Sequence, residues 1–445
     1  MGTYEEQSMS SSIEKAKGVK DILPPDEPYW ELVEEAAKKT ARDFDFFRIS
    51  TPIFEKTDLF LRGVGKRTDL VAKEMYSFKT KGDDALTLRP EGTAPVMRAY
   101  IENGMKSLAQ PVKLFYIEPF FRHERPQHLR QRQFYQVGFE TLGFGSSVID
   151  AELIQAATHI LRRIGLEGFE FQVNTLGDAS CRPSYMKKLQ EYLKDNKKSL
   201  CLDCQESMVR RPFNVFECQE EKCARIARMA PKMIDELCEP CHSHFRELLE
   251  MLDEIEVPYT LNPFIVRGLD YYTRTVFEIW LSVEGEPSGM RALGGGGRYD
   301  GLAAELGGGE IPGSGFALGV ERLIRVIKNQ GLVPPQHKER EKSIFLAQLG
   351  FAARKRSLKL FSELMREGIH ASAAFSRESL SSQLRIADKL GVEYALILGE
   401  KELFDKSIIL RNMKTGNQEI LEMRNLIAEL KNRLSPFSTK LFRPI

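Results

Sequence analysis

Phe121-Arg-His-Glu-Arg-Pro-Gln-His-Leu-Arg-Gln-Arg-Gln-Phe-Tyr-Gln-Val-Gly-Phe-Glu140 lies between and into two runs that read as strands, Val112–Glu118 and Phe134–Phe139. Strands that follow one another without an intervening helix pair antiparallel. Further strand-like runs occur at Arg48–Phe54, Ala85–Leu88, Phe169–Asn174, Thr273–Leu281 and Arg291–Leu293, in adjacent pairs as often as in alternation with helices. Helices are expected at Thr93–Asn103 and Ala151–Ile164. Another follows Asp21-Ile-Leu-Pro-Pro-Asp, where Trp30, Val33, Ala37, Ala41 and Phe44 recur at three- and four-residue spacing. The expectation is an α+β fold, a mostly antiparallel sheet with helices packed on it.

The opening stretch also carries chemistry. Four arginines and two glutamates in twenty residues, with Phe134 among them, suit a phosphate-bearing aromatic ligand: guanidinium groups clamp phosphate oxygens and a ring stacks on a base. A solvated hairpin has the same composition. Alternation favours the pocket, because period two sets Phe134, Gln136, Gly138 and Glu140 on one face.

Three other segments are candidates. Arg267-Gly-Leu-Asp-Tyr-Tyr-Thr-Arg-Thr-Val-Phe-Glu278 puts charged and hydroxyl groups at the mouth of a strand, although paired tyrosines there also serve packing. Gly294-Gly-Gly-Gly-Arg-Tyr-Asp-Gly301 lets backbone approach a ligand, or forms a flexible turn, and lacks the spacing of a phosphate-binding P-loop. Gly313-Ser-Gly-Phe-Ala-Leu-Gly-Val-Glu-Arg322 reads as a strand running into a helix whose first turns carry an arginine able to reach an anion.

With 445 residues, the chain exceeds one ordinary core, so two domains are expected, with room for an inserted third. The stretch from about Asp178 to Pro258 is helical, charged and cysteine-rich, and looks like the insertion. Its Cys201-x-x-Cys204 and Cys238-x-x-Cys241 have the paired spacing of a tetrahedral zinc site across a longer gap than usual, or are reduced cysteines of a helical segment; Cys181 stands apart as structural. No metal ligand is assigned on this reading. Gly331–Lys342 reads as a linker, and beyond it strands at Ser343–Leu349, Ile369–Ala373 and Tyr394–Leu398 alternate with helices at Ala352–Glu367 and Leu380–Leu390, as in a small parallel-type α/β domain.

Composition, with 42% hydrophobic and 29% charged residues, is that of a folded soluble protein. No apolar run reaches membrane-spanning length, and the acidic start, Met1-Gly-Thr-Tyr-Glu-Glu-Gln, lacks the apolar core of a signal peptide, so the cytoplasm is the expected compartment. Net charge is +1, but residues 341–445 carry 18 Lys and Arg against 12 Asp and Glu, which permits a polyanion partner without requiring one.

In order, these segments resemble the class II aminoacyl-tRNA synthetases and, among them, the histidyl-tRNA synthetase family, from Lys15-Ala-Lys-Gly-Val-Lys-Asp-Ile-Leu-Pro24 to about Leu434. Leu88-Arg-Pro-Glu-Gly-Thr93, Phe121-Arg-His-Glu-Arg-Pro126 and Gly315-Phe-Ala-Leu-Gly-Val-Glu-Arg322 are similar to core segments of the class. Arg267–Glu278 and Ala292–Gly301 are similar to the two peptides peculiar to the histidyl enzymes. The resemblance implies an antiparallel catalytic sheet flanked by helices in a domain spanning 1–335, with the insertion at about 178–258. A linker at 336–345, an α/β anticodon-binding domain at 343–435 and a tail at 436–445 follow.

It also implies a homodimer that uses ATP with Mg²⁺, L-histidine and histidine tRNA. By resemblance, Glu91, Gly92, Thr93, Gln136, Glu140, Tyr271 and Tyr272 contact histidine. Arg122, Glu124, Arg130, Phe134 and Arg322 hold ATP, and Arg267 and Arg122 are catalytic. The chain departs from the family's pattern in the same loop at Leu129, Gln131 and Tyr135. A histidine-sensing paralogue that partners ATP phosphoribosyltransferase is the alternative, but such proteins tend to lack the terminal domain and catalytic positions that are present here.

Overall fold

The computed structural model describes residues 13–65, 68–124, 131–266, 268–281, 292–334 and 344–434. They form two compact units that divide after Leu332. In the first unit an eight-stranded sheet runs in the spatial order Phe47–Arg48, Val112–Phe121, Gln133–Leu142, Gly313–Gly319, Ala292–Arg298, Thr273–Leu281, Phe169–Thr175, Tyr259–Leu261. Its six central strands pair antiparallel, and only the two short edge strands join parallel.

The alternation of Gln133–Leu142 decides what each face receives. Val137 and Phe139 point into a core with Trp30, Val33, Ala37 and Ala41 of the Glu27–Asp43 helix, with the Ser147–Arg163 helix and with Leu323 and Ile327 of the Val320–Asn329 helix. Phe134 packs on the opposite side, against a second core that includes Tyr116, Tyr271, Tyr272 and Met97 of the Thr93–Glu102 helix. Burying one face under helices leaves the other to be built around polar groups.

Three expectations are corrected. Arg48–Phe54 is not one strand: Phe47–Arg48 and Phe54–Lys56 lie in different sheets, separated where Pro52 lacks a ladder N–H and Thr51 O accepts from Arg89 at 2.6 Å. The glycine run is neither turn nor loop but the interior of the Ala292–Arg298 strand, longer than the expected Arg291–Leu293. A Cβ at Gly294 or Gly296 would come within 2.2 and 2.1 Å of a neighbouring carbonyl oxygen, so the glycines permit close strand contact.

The third correction concerns the terminal unit. Ala371–Ala373, Ile344–Gln348 and Tyr394–Leu398 are parallel as expected, but Ser407–Asn412 and Gln418–Glu422 extend the sheet antiparallel, making it mixed. The exposed Gln418–Glu422 edge has too little apolar alternation to declare itself as a strand.

The segment between Phe169–Thr175 and Tyr259–Leu261 is helical, with Cys181, Tyr185, Leu189, Leu193, Met208 and Cys241 in a small core of its own. Its exit helix, Glu239–Glu254, crosses between cores: Cys241 lies in the small one, Phe245, Leu248 and Leu252 in the main one. Among the described residues no helix is long and apolar enough to cross a membrane.

Candidate active site

Glu91, Thr93, Glu140 and Tyr271 meet on the second face of the sheet. Thr93 begins a ten-residue helix, and the Glu91 carboxylate accepts its first free backbone N–H groups, from Thr93 at 2.8 Å and Ala94 at 2.9 Å. A carboxylate there is favoured by the helix dipole. Thr93 Oγ1 donates to Glu140 at 2.8 Å, and Tyr271 OH donates to Glu91 at 3.3 Å, so the two glutamates are bridged through Thr93. The Tyr272 ring lies tilted against that of Tyr271, ring centroids 4.7 Å apart, and the Tyr272 carbonyl accepts from Arg182 at 2.6 Å. Gly92 precedes the helix as its N-cap.

Glu140 receives two more hydroxyls, from Tyr299 and, at 3.4 Å, from Tyr116. Space for them comes from Gly138 and Gly315: a Cβ at the first would strike the Tyr116 ring at 2.1 Å, and at the second Glu140 itself at 1.8 Å. Both carboxylates are buried. Burial pushes Glu140 up to about 8 and raises Glu91 despite its two backbone donors and the Arg122 charge. Burial and the nearby carboxylates keep Tyr116, Tyr271 and Tyr299 protonated, hence as donors. Two buried carboxylates ringed by hydroxyls form a receptor for a cationic or N–H-bearing group.

The arginine-rich edge adjoins these carboxylates. Arg122 Nε donates to Pro90 O at 2.9 Å, and its guanidinium lies 5.2 Å from the Phe134 ring centre, with Glu124 3.9 Å away. Gln136 is half-buried between Phe134 and Glu140 on the same strand face. Arg322, in the first turn of Val320–Asn329, donates to Ala292 O at 2.8 Å. Tyr135 faces the other way: its ring meets Trp30 edge-on at 5.0 Å and its N–H donates to Glu321, which burial pushes up to about 7. Arg267, Arg130 and Leu129 lie outside the described residues.

Sequence reasoning missed Tyr299 and Tyr116. Tyr299 was within reach, since it lies within the quoted glycine segment; Tyr116, inside an apolar strand run, gave no signal. Also missed was the fully buried Arg298, which donates to both oxygens of Asp150, at 2.8 and 3.3 Å, and to Ser146 O at 2.8 Å. His244 completes the network at 2.8 Å from Asp150. Burial works against the charge on Asp150, yet Arg298 and His244 hold its carboxyl below the ordinary range. This network fixes the strand end from which Tyr299 reaches Glu140. Arg298→Met strands a buried carboxylate and is expected to lower unfolding stability by about 3–5 kcal/mol, read as a drop in the urea midpoint. An unchanged midpoint would show the network to be dispensable.

An antiparallel catalytic sheet with this buried site and a separate mixed-sheet terminal unit defines a class II aminoacyl-tRNA synthetase. The histidyl-tRNA synthetase family model matches residues 18–323, and an anticodon-binding domain model matches residues 343–433. The chain therefore belongs to the histidyl-tRNA synthetase family.

It is 43% identical over 418 residues to a histidine–tRNA ligase of Dehalococcoides mccartyi, covering 94% of this chain and 99% of that one. To a histidine–tRNA ligase of Desulfitobacterium hafniense it is 45% identical over 415 residues, 93% of this chain and 96% of the relative. A crystal structure of apo histidyl-tRNA synthetase from S. aureus superposes with TM-score 0.78 at 34% identity, covering 94% of this chain and all of the other.

Proposed function

We propose that the chain is a histidine–tRNA ligase that joins L-histidine to ATP as histidyl-adenylate, releasing pyrophosphate, and then passes the histidyl group to the terminal ribose of its tRNA. The observation that carries this reading is the buried Glu91–Thr93–Glu140 constellation with its tyrosine hydroxyls. An imidazole offers a donor and an acceptor and an α-ammonium offers three donors, so buried Glu and Tyr groups distinguish histidine from apolar side chains. Glu91, Gly92, Thr93, Gln136, Glu140, Tyr271 and Tyr272 bind the amino acid in this reading.

Arg122, Glu124, Arg130, Phe134 and Arg322 take ATP, with the Phe134 ring against adenine and the arginines on phosphates. Attack of the histidine carboxylate on the α-phosphorus builds negative charge on phosphate oxygens, and Arg267 and Arg122 stabilise it without a protein nucleophile. When bound with ATP, Mg²⁺ would supply further positive charge at the phosphates. A hard carboxylate oxygen beside Arg122, that of Glu124, fits an ion that keeps most of its ligands as phosphate and water.

The terminal domain suits a tRNA and disfavours the sensing paralogue, and the active form is a cytoplasmic homodimer in this proposal. Purified protein with Mg·ATP is expected to exchange labelled pyrophosphate into ATP only when histidine is supplied, and to charge histidine tRNA. Histidine binding without exchange would sink the ligase reading.

A further inference from the structure

All seven cysteines of the chain fall into two clusters in the helical segment. Cys201, Cys204, Cys218 and Cys223 bring their sulfurs within 4.8 Å of one another, and a carboxylate oxygen of Asp178 does the same with the sulfurs of Cys181, Cys238 and Cys241. This corrects two expectations. Cys201-x-x-Cys204 and Cys238-x-x-Cys241 do not share one site, since each pair completes a different cluster. Cys181, expected to stand apart, belongs to the second.

We propose that the helical segment binds two zinc ions, one held by Cys201, Cys204, Cys218 and Cys223, the other by Asp178, Cys181, Cys238 and Cys241, and that the second fastens the segment to the wall of the histidine pocket.

Geometry supports the first site. Ligands at the Zn–S bond length of about 2.3 Å sit at tetrahedron corners about 3.8 Å apart. The sulfurs of Cys201 and Cys218 are 3.8 Å apart. Backbone N–H groups already point at the sulfurs: Cys204 N–H to Cys201 Sγ at 3.4 Å and Cys201 N–H to Cys223 Sγ at 3.2 Å. Such donors orient metal-bound thiolates and spread their charge.

The segment also lacks other means of cohesion. Between its longest helices, Arg182–Asp195 and Glu239–Glu254, lie helices of only six, four and eight residues. Helices this short are marginal alone, and small cores recruit metals or disulfides. All seven cysteines are free. Loading is balanced by proton release: four thiols and Zn²⁺ give a tetrathiolate and four protons, while three thiols, the Asp178 carboxylate and Zn²⁺ release three.

The second site differs in what it touches. Asp178 N–H donates to Cys181 Sγ at 3.4 Å, and the Cys238 thiol lies 3.7 Å from Asp178 Oδ1. The other carboxylate oxygen accepts from Arg274 at 3.2 Å. Arg274 is held at φ 50° by its N–H to Gly177 O and by Leu176 N–H to its own carbonyl, both 2.7 Å. Those bonds, with that from Arg182 to Tyr272 O, lace residues 176–182 to the backbone directly after Tyr271. Zinc at Asp178 therefore locks the backbone that carries the two tyrosines.

Full-length protein purified without chelator is expected to carry two zinc atoms per chain by elemental mass spectrometry. Cys204→Ser with Cys223→Ser should remove one and leave histidine KM unchanged. Cys181→Ser with Cys241→Ser should remove the other and raise histidine KM about tenfold with kcat within about twofold. Should these variants misfold, mercurial titration of the wild type is expected to release two zinc equivalents. Folded protein without zinc, iron in its place, or seven freely reactive thiols in the native state overturns the proposal. A single zinc, lost only with Cys204 and Cys223, overturns the second site.

Discussion

Glu140→Gln is expected to cut kcat/KM for histidine in pyrophosphate exchange by about 10³-fold, because a buried receptor group that loses its charge leaves the ligand's N–H groups underbonded. The amide keeps the size of the side chain, its oxygen can still accept from one of the Thr93 and Tyr299 hydroxyls, and its NH2 can donate to the oxygen of the other, so the protein should fold. Its stability should change in the opposite direction from its activity. In the folded protein burial moves Glu140 from its ordinary 4.5 to about 8. A raised carboxyl contributes stability that is fully present below the lower value and is lost as pH rises through the upper one.

The wild type should therefore lose stability relative to Glu140→Gln between pH 5 and 9, by on the order of a few kcal/mol. Saturating histidine should restore the wild type alone, since its cationic groups pair with the carboxylate. Thermal melts of both proteins across that range provide the check. A gap that does not vary with pH would mean that Glu140 is not the titrating group.

For Arg267→Ala the expected loss is about 10²–10⁴-fold in the exchange kcat, with histidine affinity kept within about threefold. Arg267 lies four residues before Tyr271, and the proposed function has it at the α-phosphate. A fixed cation there acts where charge grows during attack and does little for the bound amino acid. Calorimetric titration with histidine separates the two effects. Arg267→Lys, which keeps the charge but not the two-pronged donor geometry, should recover only part of the rate. Loss of histidine binding equal to the loss of rate would place Arg267 in the amino-acid pocket instead.

The strands were legible where alternation was clean. Thr273–Leu281 and Ala85–Leu88 fall where the sequence sets them, and the face shared by Phe134, Gly138 and Glu140 follows from counting by two. The strand through the glycine run was not legible, because its cause is the backbone of other strands, Ala317 and Gly315, far away in sequence. Tyr116 was hidden for a similar reason: its hydroxyl matters only because Glu140 lies across the sheet. The cysteine clusters were misread because spacing pairs neighbours within a motif and says nothing about which pairs meet. Asp178 has no cysteine signature at all. Arg298 carried no signal of its own after the glycines, and only the partners Asp150 and His244, on two separate helices, explain its burial.

Gly138 and Gly315 also bear on how the pocket can change over generations. The room that their side chains would take is filled by Tyr116 and by Glu140. Any substitution at either place adds atoms against Tyr116 or Glu140, and no substitution can remove more. Mutation there can only displace these two groups and cannot make room, so a shift to a larger amino acid must begin with Tyr116, Tyr271 or Tyr299. Those residues donate to the two carboxylates, and the first step towards a new substrate would therefore forfeit recognition of the old one.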